Sequence, residues 1–178
     1  MPLTPLHPVP VWLPYVRWPR AFSFWALTFG SMANDLEYVF AFLTTGHLTH
    51  GRGIMHSVLG VLTINALATI VFVYLFVPPF LRWVERRWPT RPDLFRFAGQ
   101  DLRRDPRDLL TVYTCAAFGG LTHILIDLPT HGYNPLLWPW QQVPLKILPF
   151  ADDPLWTILA GIPVLLALLW LIRRYWRH

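Results

Sequence analysis

The sequence predicts an all-α integral membrane protein: a bundle of four transmembrane helices with an irregular Pro-rich N-terminal segment, forming a single membrane domain over residues 1–178. Of the 178 residues, 54% are hydrophobic and only 14% are charged, whereas about a quarter of a soluble domain is charged. A transmembrane helix takes about 20 apolar residues, or about 17 at the shortest. Four apolar runs reach that length: 22–43, 57–79, 109–128 and 155–172.

The basic residues alternate with these runs. All fifteen Lys and Arg residues except Arg52 and Lys146 lie before the first run, between the second and third, or after the fourth. In membrane proteins the cytoplasmic loops carry the excess of Lys and Arg. We therefore expect both termini and the 80–108 loop to be cytoplasmic, and the 129–154 loop to lie on the outer side.

A nucleic-acid-binding surface is the competing interpretation of the 80–108 loop, because the chain carries a formal net charge of +5. Acidic residues are interspersed with the arginines of that loop, namely Glu85, Asp93, Asp101, Asp105 and Asp108. Segments that bind nucleic acid are typically blocks of like charge. The mixed pattern disfavours this interpretation, and we expect no nucleic-acid partner.

The N-terminal segment is rich in proline. Its first twenty residues contain six prolines and lack the apolar stretch of a signal peptide. Pro5 is suited to the start of a short helix, but Pro8 and Pro10 limit its length. The sequence therefore predicts an irregular segment that lies on, or dips into, the cytoplasmic side of the membrane.

Two ionisable side chains interrupt the third apolar run. His123 and Asp127 are four residues apart and therefore share one face of a helix. Gly119 and Gly120, one turn earlier, allow a neighbouring helix to approach closely. An ionised Asp near the middle of a transmembrane helix costs about 2.5–3.5 kcal/mol on insertion scales. We therefore expect this pair to have a partner that offsets the cost.

Further ionisable residues fall on the same side of the predicted topology. Asp35 lies in the outer half of the first run, again beside small residues, Gly30 and Ser31. The residues toward the outer side are Asp35, Glu37, His47, His50, His56, His123, Asp127 and His131. Imidazoles and carboxylates from three separate runs predict a divalent metal site, with zinc the first choice and manganese or iron as alternatives. A proton relay or a structural polar cluster is the other interpretation.

Four stretches carry a family resemblance. They are "TPLHPVP" at 4–10, "GSMANDLEY" at 30–38, "HGRGIMHSVLG" at 50–60 and "GGLTHILIDLPTHGYNPLLWP" at 119–139. Together they resemble the small bacterial membrane proteins named as membrane-bound metal-dependent hydrolases. The resemblance covers most of the chain through residue 139, and it implies a protein integral to the bacterial cytoplasmic (inner) membrane.

The resemblance also implies a set of metal ligands. The matching positions in this chain are His7, Asp35, His56, His123 and Asp127. Asn34 stands where the family usually has Pro, which changes the helix bend but not the candidate ligand. The order of the ligands is distantly similar to that of the zinc-dependent phospholipase C and nuclease fold, in which zinc ions activate water against a phosphodiester. His7 precedes Arg17 and Arg20, so it reaches the other ligands only if the N-terminal segment re-enters the bundle.

These observations predict a metal-dependent hydrolase that cleaves a phosphoester bond in a lipid-like or envelope substrate at the outer face. The predicted metal ligands are Asp35, His56, His123, Asp127, His131 and His7. Glu37 or His50 is the predicted general base, and Arg52 is predicted to offset the negative charge of a phosphate. Membrane lipids and a lipid-like substrate are the expected partners.

Two other functions remain open on the sequence. A non-catalytic structural or assembly subunit of a larger membrane complex would keep the fold, lose the chemistry and bind a membrane-protein partner. A haem or pigment protein would use His56 and His123 as axial ligands.

Overall fold

The computed structural model describes residues 6–46, 52–88, 106–140 and 145–176. Every regular element in those ranges is helical, which confirms the all-α prediction. The helices are α1 (Pro8–Arg17), α2 (Phe24–Ala33), α3 (Leu36–Thr45), α4 (Val58–Gly60), α5 (Ala66–Leu75), α6 (Val77–Arg87), α7 (Pro106–Asp127) and α8 (Pro154–Trp176).

Three helical stretches within the described ranges are long and apolar enough to cross a membrane: Val58–Arg87, Asp108–Asp127 and Pro154–Arg174. They correspond to the second, third and fourth predicted spans, and the second extends eight residues beyond its predicted end at residue 79. The first predicted span is different, because its helix ends at Ala33 and restarts at Leu36. The structure thus shows three candidate spans, and a bundle of four transmembrane helices stays a prediction.

Tertiary hydrogen bonds account for the break between α2 and α3. The Asp35 backbone N–H donates to the Met32 carbonyl at 3.1 Å, a tighter turn than an α-helix makes. The Asn34 side chain is fully buried; it donates to the Gly120 carbonyl at 3.4 Å and accepts from Asn65 Nδ2 at 2.7 Å. Asn34 therefore ties the break to α7 and to the second span, and the next side chain is Asp35.

Residues 8–17 of the N-terminal segment form helix α1, so the prediction of an irregular segment is wrong for these residues. Prolines in the first turn of a helix cost little, because the N–H groups there have no intrahelical partner, and this applies to Pro8 and Pro10. Only Pro14 removes a hydrogen bond from the interior of α1. Val9 and Val11 are buried as α1 packs against α2 and α8. The burial of one face of α1 outweighs the low helix propensity of its prolines.

Helices α2 and α7 form the closest helix pair, as the small residues predicted. A Cβ added to Gly119 would lie 2.6 Å from the Leu27 carbonyl oxygen, and one added to Gly30 would collide with the Ala116 backbone. Only glycine lets the two backbones approach this closely. The contact fixes the depth of α7 relative to the break that carries Asp35.

The start of the second span is irregular. A 3-10 turn, Ile54–His56, precedes α4, and a π-helical segment, Val61–Asn65, separates α4 from α5. Asn65 Nδ2, from this π-helical segment, donates to the Met55 carbonyl at 2.8 Å. This hydrogen bond holds the 3-10 turn against the helix and so positions His56.

Candidate metal centre

Five ionisable side chains from four parts of the chain meet in the interior. His7 precedes α1, Asp35 lies at the break between α2 and α3, His56 ends the 3-10 turn, and His123 and Asp127 come from α7. None of the five is more than 9% exposed, and His123 is fully buried. Burying charged groups this deeply is costly unless they are paired or bind a metal.

The Asp35 carboxylate faces three imidazoles. Its Oδ1 atom lies 3.6 Å from His56 Nε2 and 3.6 Å from His123 Nε2. Its Oδ2 atom lies 3.9 Å from His7 Nδ1. These separations are too long for hydrogen bonds, although the three nitrogens lie around one carboxyl group.

The Asp127 carboxylate borders the same space from α7. Its Oδ2 atom lies 3.2 Å from His123 Nε2, which confirms that the two residues share a helix face. Its Oδ1 atom lies 3.4 Å from His7 Nε2. The N-terminal segment therefore does re-enter the helix bundle and brings His7 beside the other predicted ligands.

Two overlapping sets of side chains have the spacing of metal ligands: His7, Asp35 and His123 in one, and His56, His123 and Asp127 in the other. In each set one ligand atom from every residue lies within 4.8 Å of the others. The sets share His123, whose Nδ1 lies 2.7 Å from the Ser31 carbonyl oxygen. Only Nε2 of His123 is left for a metal, so the two sets describe one centre.

Two hydrogen bonds orient the imidazoles at this centre. A carbonyl oxygen can only accept, so His123 Nδ1 donates to Ser31 and its Nε2 carries the lone pair. His56 Nδ1 lies 3.0 Å from Glu37 Oε2, which also accepts from the Gly53 N–H at 2.8 Å. Carboxylate and carbonyl partners of this kind fix the tautomer of metal-ligating histidines.

Three inward nitrogen atoms lack a hydrogen-bond partner among the described residues: His7 Nδ1, His56 Nε2 and His123 Nε2. A buried polar atom without a partner costs about 1–3 kcal/mol. Native structures leave few such atoms, and a single cation among the three would give all of them a partner.

The charges point in the same direction. The described cluster contains three carboxylates, Asp35, Glu37 and Asp127, and one guanidinium, Arg52. With neutral histidines its net charge is −2, which a divalent cation would balance.

Arg52 is held by its own neighbours. Its Nε donates to the Tyr38 hydroxyl at 2.8 Å, its Nη1 donates to Asn134 Oδ1 at 3.1 Å, and its Nη2 contacts Asp127 Oδ2. The Arg52 side chain is 7% exposed. These contacts fix Arg52 against the Asp127 carboxylate. The predicted contact of Arg52 with a phosphate stays a prediction.

His131 lies at the edge of the centre. Its side chain is 23% exposed, and its Nδ1 lies 3.5 Å from Asp127 Oδ1 and 2.9 Å from the Thr130 hydroxyl. It belongs to neither ligand set. Burial lowers the pKa of His131 below its ordinary value, against the opposing effect of the Asp127 carboxylate, so the ring is neutral at neutral pH. His50, predicted as an alternative base, lies outside the described residues.

A cavity of about 600 Å³ adjoins the centre between the end of α7 and α8. His7, Asp127 and His131 line one end of it, and most of the remaining wall is apolar, including Ile158 and Val164 of α8. The cavity therefore reaches two of the predicted ligands, His7 and Asp127.

Several contributions to the centre were not predicted from the sequence. Ser31 contributes its backbone carbonyl and Gly53 its backbone N–H, and neither contribution has a side-chain signature. Asn65 does carry a signal, because a buried amide in an otherwise apolar span needs polar partners.

A comparison with known families completes the description. No curated protein and no solved structure matches the chain, so the resemblance to metal-dependent hydrolases stays a prediction. One family model, described as a domain of unknown function (DUF4184), matches residues 1–178. The chain belongs to the DUF4184 family over its full length.

Proposed function

We propose that the protein is a membrane-embedded metal-dependent hydrolase with one divalent cation at the buried centre. The observation that carries this proposal is the set of three inward, partnerless imidazole nitrogens around Asp35. In two of these imidazoles, those of His56 and His123, the second ring nitrogen is fixed by another group. A purely structural cluster would gain nothing from leaving these nitrogens without partners.

The donor atoms suit zinc first, with manganese or iron as alternatives. Imidazole and carboxylate ligands without a thiolate are compatible with all three metals. His56, His123, Asp35 and Asp127 would hold the cation, and His7 lies beside them. Such a cation would supply a bound water whose pKa is lowered toward neutrality.

The residues around the ligands have distinct roles in this proposal. Glu37 orients His56 and accepts from Gly53, so it acts as a positioning residue rather than as the general base. Arg52 holds Asp127 in the same way. His131 is the better placed base, because it adjoins Asp127 and lines the cavity through which a substrate would enter.

The proposed substrate is a phosphoester of a lipid or an envelope component. The apolar wall of the cavity and its position between two candidate spans support an amphiphilic substrate. The distribution of Lys and Arg favours a site that opens to the extracytoplasmic face of the bacterial inner membrane, with both termini in the cytoplasm. In this proposal α2 and α3 together cross the membrane once. They make the first of four crossings in the order of the chain.

Reconstitution would test the proposal. Chelator-stripped protein would be reloaded with zinc, manganese or iron and assayed against short-chain phosphomonoesters and phosphodiesters. Metal-dependent turnover in wild type, and loss of kcat with full metal content in His131→Ala, are the expected results. Metal binding without turnover on any ester would contradict hydrolysis, and turnover that survives metal removal would contradict the metal mechanism.

A structural or assembly subunit is the second candidate. The exposed apolar side chains of α3 and α8, such as Phe40, Leu43 and Leu166, could face a membrane-protein partner as well as lipid. A metal-free protein that co-purifies with a fixed partner would favour this function. The haem alternative gains no support, because the His56 and His123 rings lie 5.5 Å apart with Asp35 against both Nε2 atoms.

A further inference from the structure

The cavity beside the metal centre runs along one face of α8. Its lining residues on that helix include Pro154, Thr157, Ile158, Gly161 and Val164. Each of them has another member of the set three or four residues away, which places them on one side of the helix. Ten residues of α-helix extend about 15 Å, so the cavity follows α8 over about that distance, and we call it the channel.

The two ends of this channel differ in chemistry. The polar lining residues His7, Asp127, Thr130, His131 and Asp152 lie at the end where α7 finishes. Ile126 and the α8 face that ends at Val164 supply an apolar wall along the rest. A ligand that matches the channel therefore has a compact polar group and a long apolar chain.

The surroundings of the channel identify the source of such a ligand. α7 and α8 both contain candidate membrane spans, and α8 exposes most of its apolar side chains. In the predicted topology the apolar part of the channel lies at the depth of the hydrocarbon core, where the chains of membrane lipids are the most abundant apolar groups. A peptide is a poor occupant, because its backbone would leave polar groups without partners against this wall.

We propose that the channel holds one acyl chain of a phospholipid and places its phosphate beside His7, Asp127 and His131. The position of the phosphate rests on the proposed function, since the lining carboxylates of Asp127 and Asp152 would repel it unless the proposed cation were bound at Asp127. The binding of the chain does not depend on that function, because it requires only the shape and the apolar wall of the channel.

Photolabelling tests this proposal on the whole protein. The probe is a lysophosphatidylglycerol whose acyl chain ends in a diazirine, presented to the protein in phosphatidylcholine nanodiscs, and labelled peptides are mapped by mass spectrometry. We expect labels on α8 near Val164. Val164→Trp fills the channel and should reduce them about tenfold, because overfilling a packed site by one large side chain costs about one decade in affinity.

The adjacent residue provides the matched control. Leu165 is 47% exposed and does not line the channel, so Leu165→Trp adds the same indole outside it and should leave labelling near Val164 unchanged. Ala160→Leu, a smaller change in the channel wall, replaces Val164→Trp if that variant does not fold. Equal labelling in wild type and in the channel variants would show ordinary lipid solvation of α8 and would overturn the proposal.

Metal content separates this proposal from the proposed function. Val164 is not one of the predicted ligands and lies on α8, which carries none of them, so Val164→Trp should keep the metal content of wild type. If labelling depends on Val164 but the protein has no hydrolytic activity, the acyl-chain site is supported and the proposed hydrolase function is rejected. If the protein hydrolyses short-chain esters but labelling does not change in Val164→Trp, the hydrolase function is supported and the acyl-chain site is rejected.

Discussion

Helices α7 and α8 are both long enough to cross a membrane, yet they are built differently. About 44% of the most apolar stretch of α7 is buried inside the protein, against 6% for α8. α7 meets α2 through glycines and carries His123 and Asp127, whereas α8 offers an apolar wall. The stronger hydropathy signal therefore marks the helix that leaves most of its apolar side chains exposed, and the polar interruptions of the weaker signal mark the helix that carries two of the candidate ligands.

The largest expected effect of a single substitution is on the packing of α7. Gly119→Leu would force a side chain into the Leu27 carbonyl of α2 and should cost about 3 kcal/mol or more, since neither backbone can yield. Ala167→Leu adds a bulky side chain at a partly exposed position of the loosely packed α8 and should leave stability near that of wild type. Thermal unfolding in detergent compares the two variants. Equal melting temperatures would show that α7 and α8 do not differ in how tightly they are packed.

The orientation of a ligand histidine gives the second effect. Glu37→Gln removes the charged acceptor of His56 Nδ1 and should weaken metal affinity about 10-fold to 100-fold. Competition with a chromophoric chelator measures the affinity. Glu85→Gln, an exposed carboxylate on α6, is the control and should change nothing. Unchanged affinity in Glu37→Gln would show that Glu37 does not orient a ligand.

The break between α2 and α3 gives the third effect. Asn34→Ala removes the hydrogen bonds to Gly120 and Asn65 and should destabilise the protein by about 1–3 kcal/mol. It should also lower metal affinity, because Asp35 follows directly. Thr114→Ala, an exposed position on α7, should cost less than about 0.5 kcal/mol. Denaturant titration gives the stabilities of the two variants. A loss of stability in Asn34→Ala without any change in metal affinity would show that the break between α2 and α3 does not position Asp35 for metal binding.

The smallest effect is expected on the outward face of α8. Leu166 is 60% exposed, so Leu166→Ala should change stability by less than about 0.5 kcal/mol in detergent. Leu27→Ala makes the same change at a fully buried position of α2 and should cost about 2–5 kcal/mol. A destabilisation of similar size in both variants would show that α8 packs more tightly than its exposure indicates.

The parts of the site that the sequence predicts correctly are local. His123 and Asp127 are four residues apart, so helix geometry places them on one face, where His123 Nε2 and Asp127 Oδ2 lie 3.2 Å apart. Gly119 likewise predicts the close approach of α2, because a missing side chain leaves room for a backbone wherever the partner lies. Spacing and side-chain size suffice for such predictions, since they do not depend on how distant segments pack.

The parts that the sequence does not predict depend on distant packing. The prolines of α1 conceal a helix whose stability comes from burying Val9 and Val11, so the position of His7 follows from tertiary contacts. The break at Asn34 likewise follows from partners 31 and 86 residues away. Hydropathy cannot detect such hydrogen bonds, and it therefore predicts one continuous span over 22–43.

The central claim is that one divalent cation binds where His56, His123, Asp35 and Asp127 converge. The most direct measurement is metal content by inductively coupled plasma mass spectrometry, on protein purified without chelators, for wild type beside a His123→Ala, Asp127→Ala double variant. Leu166→Ala serves as a folded control. The account predicts about one metal ion per chain in wild type and in the control, and none in a double variant that is still folded. Wild-type protein without metal, or a double variant that retains a full equivalent, would contradict it.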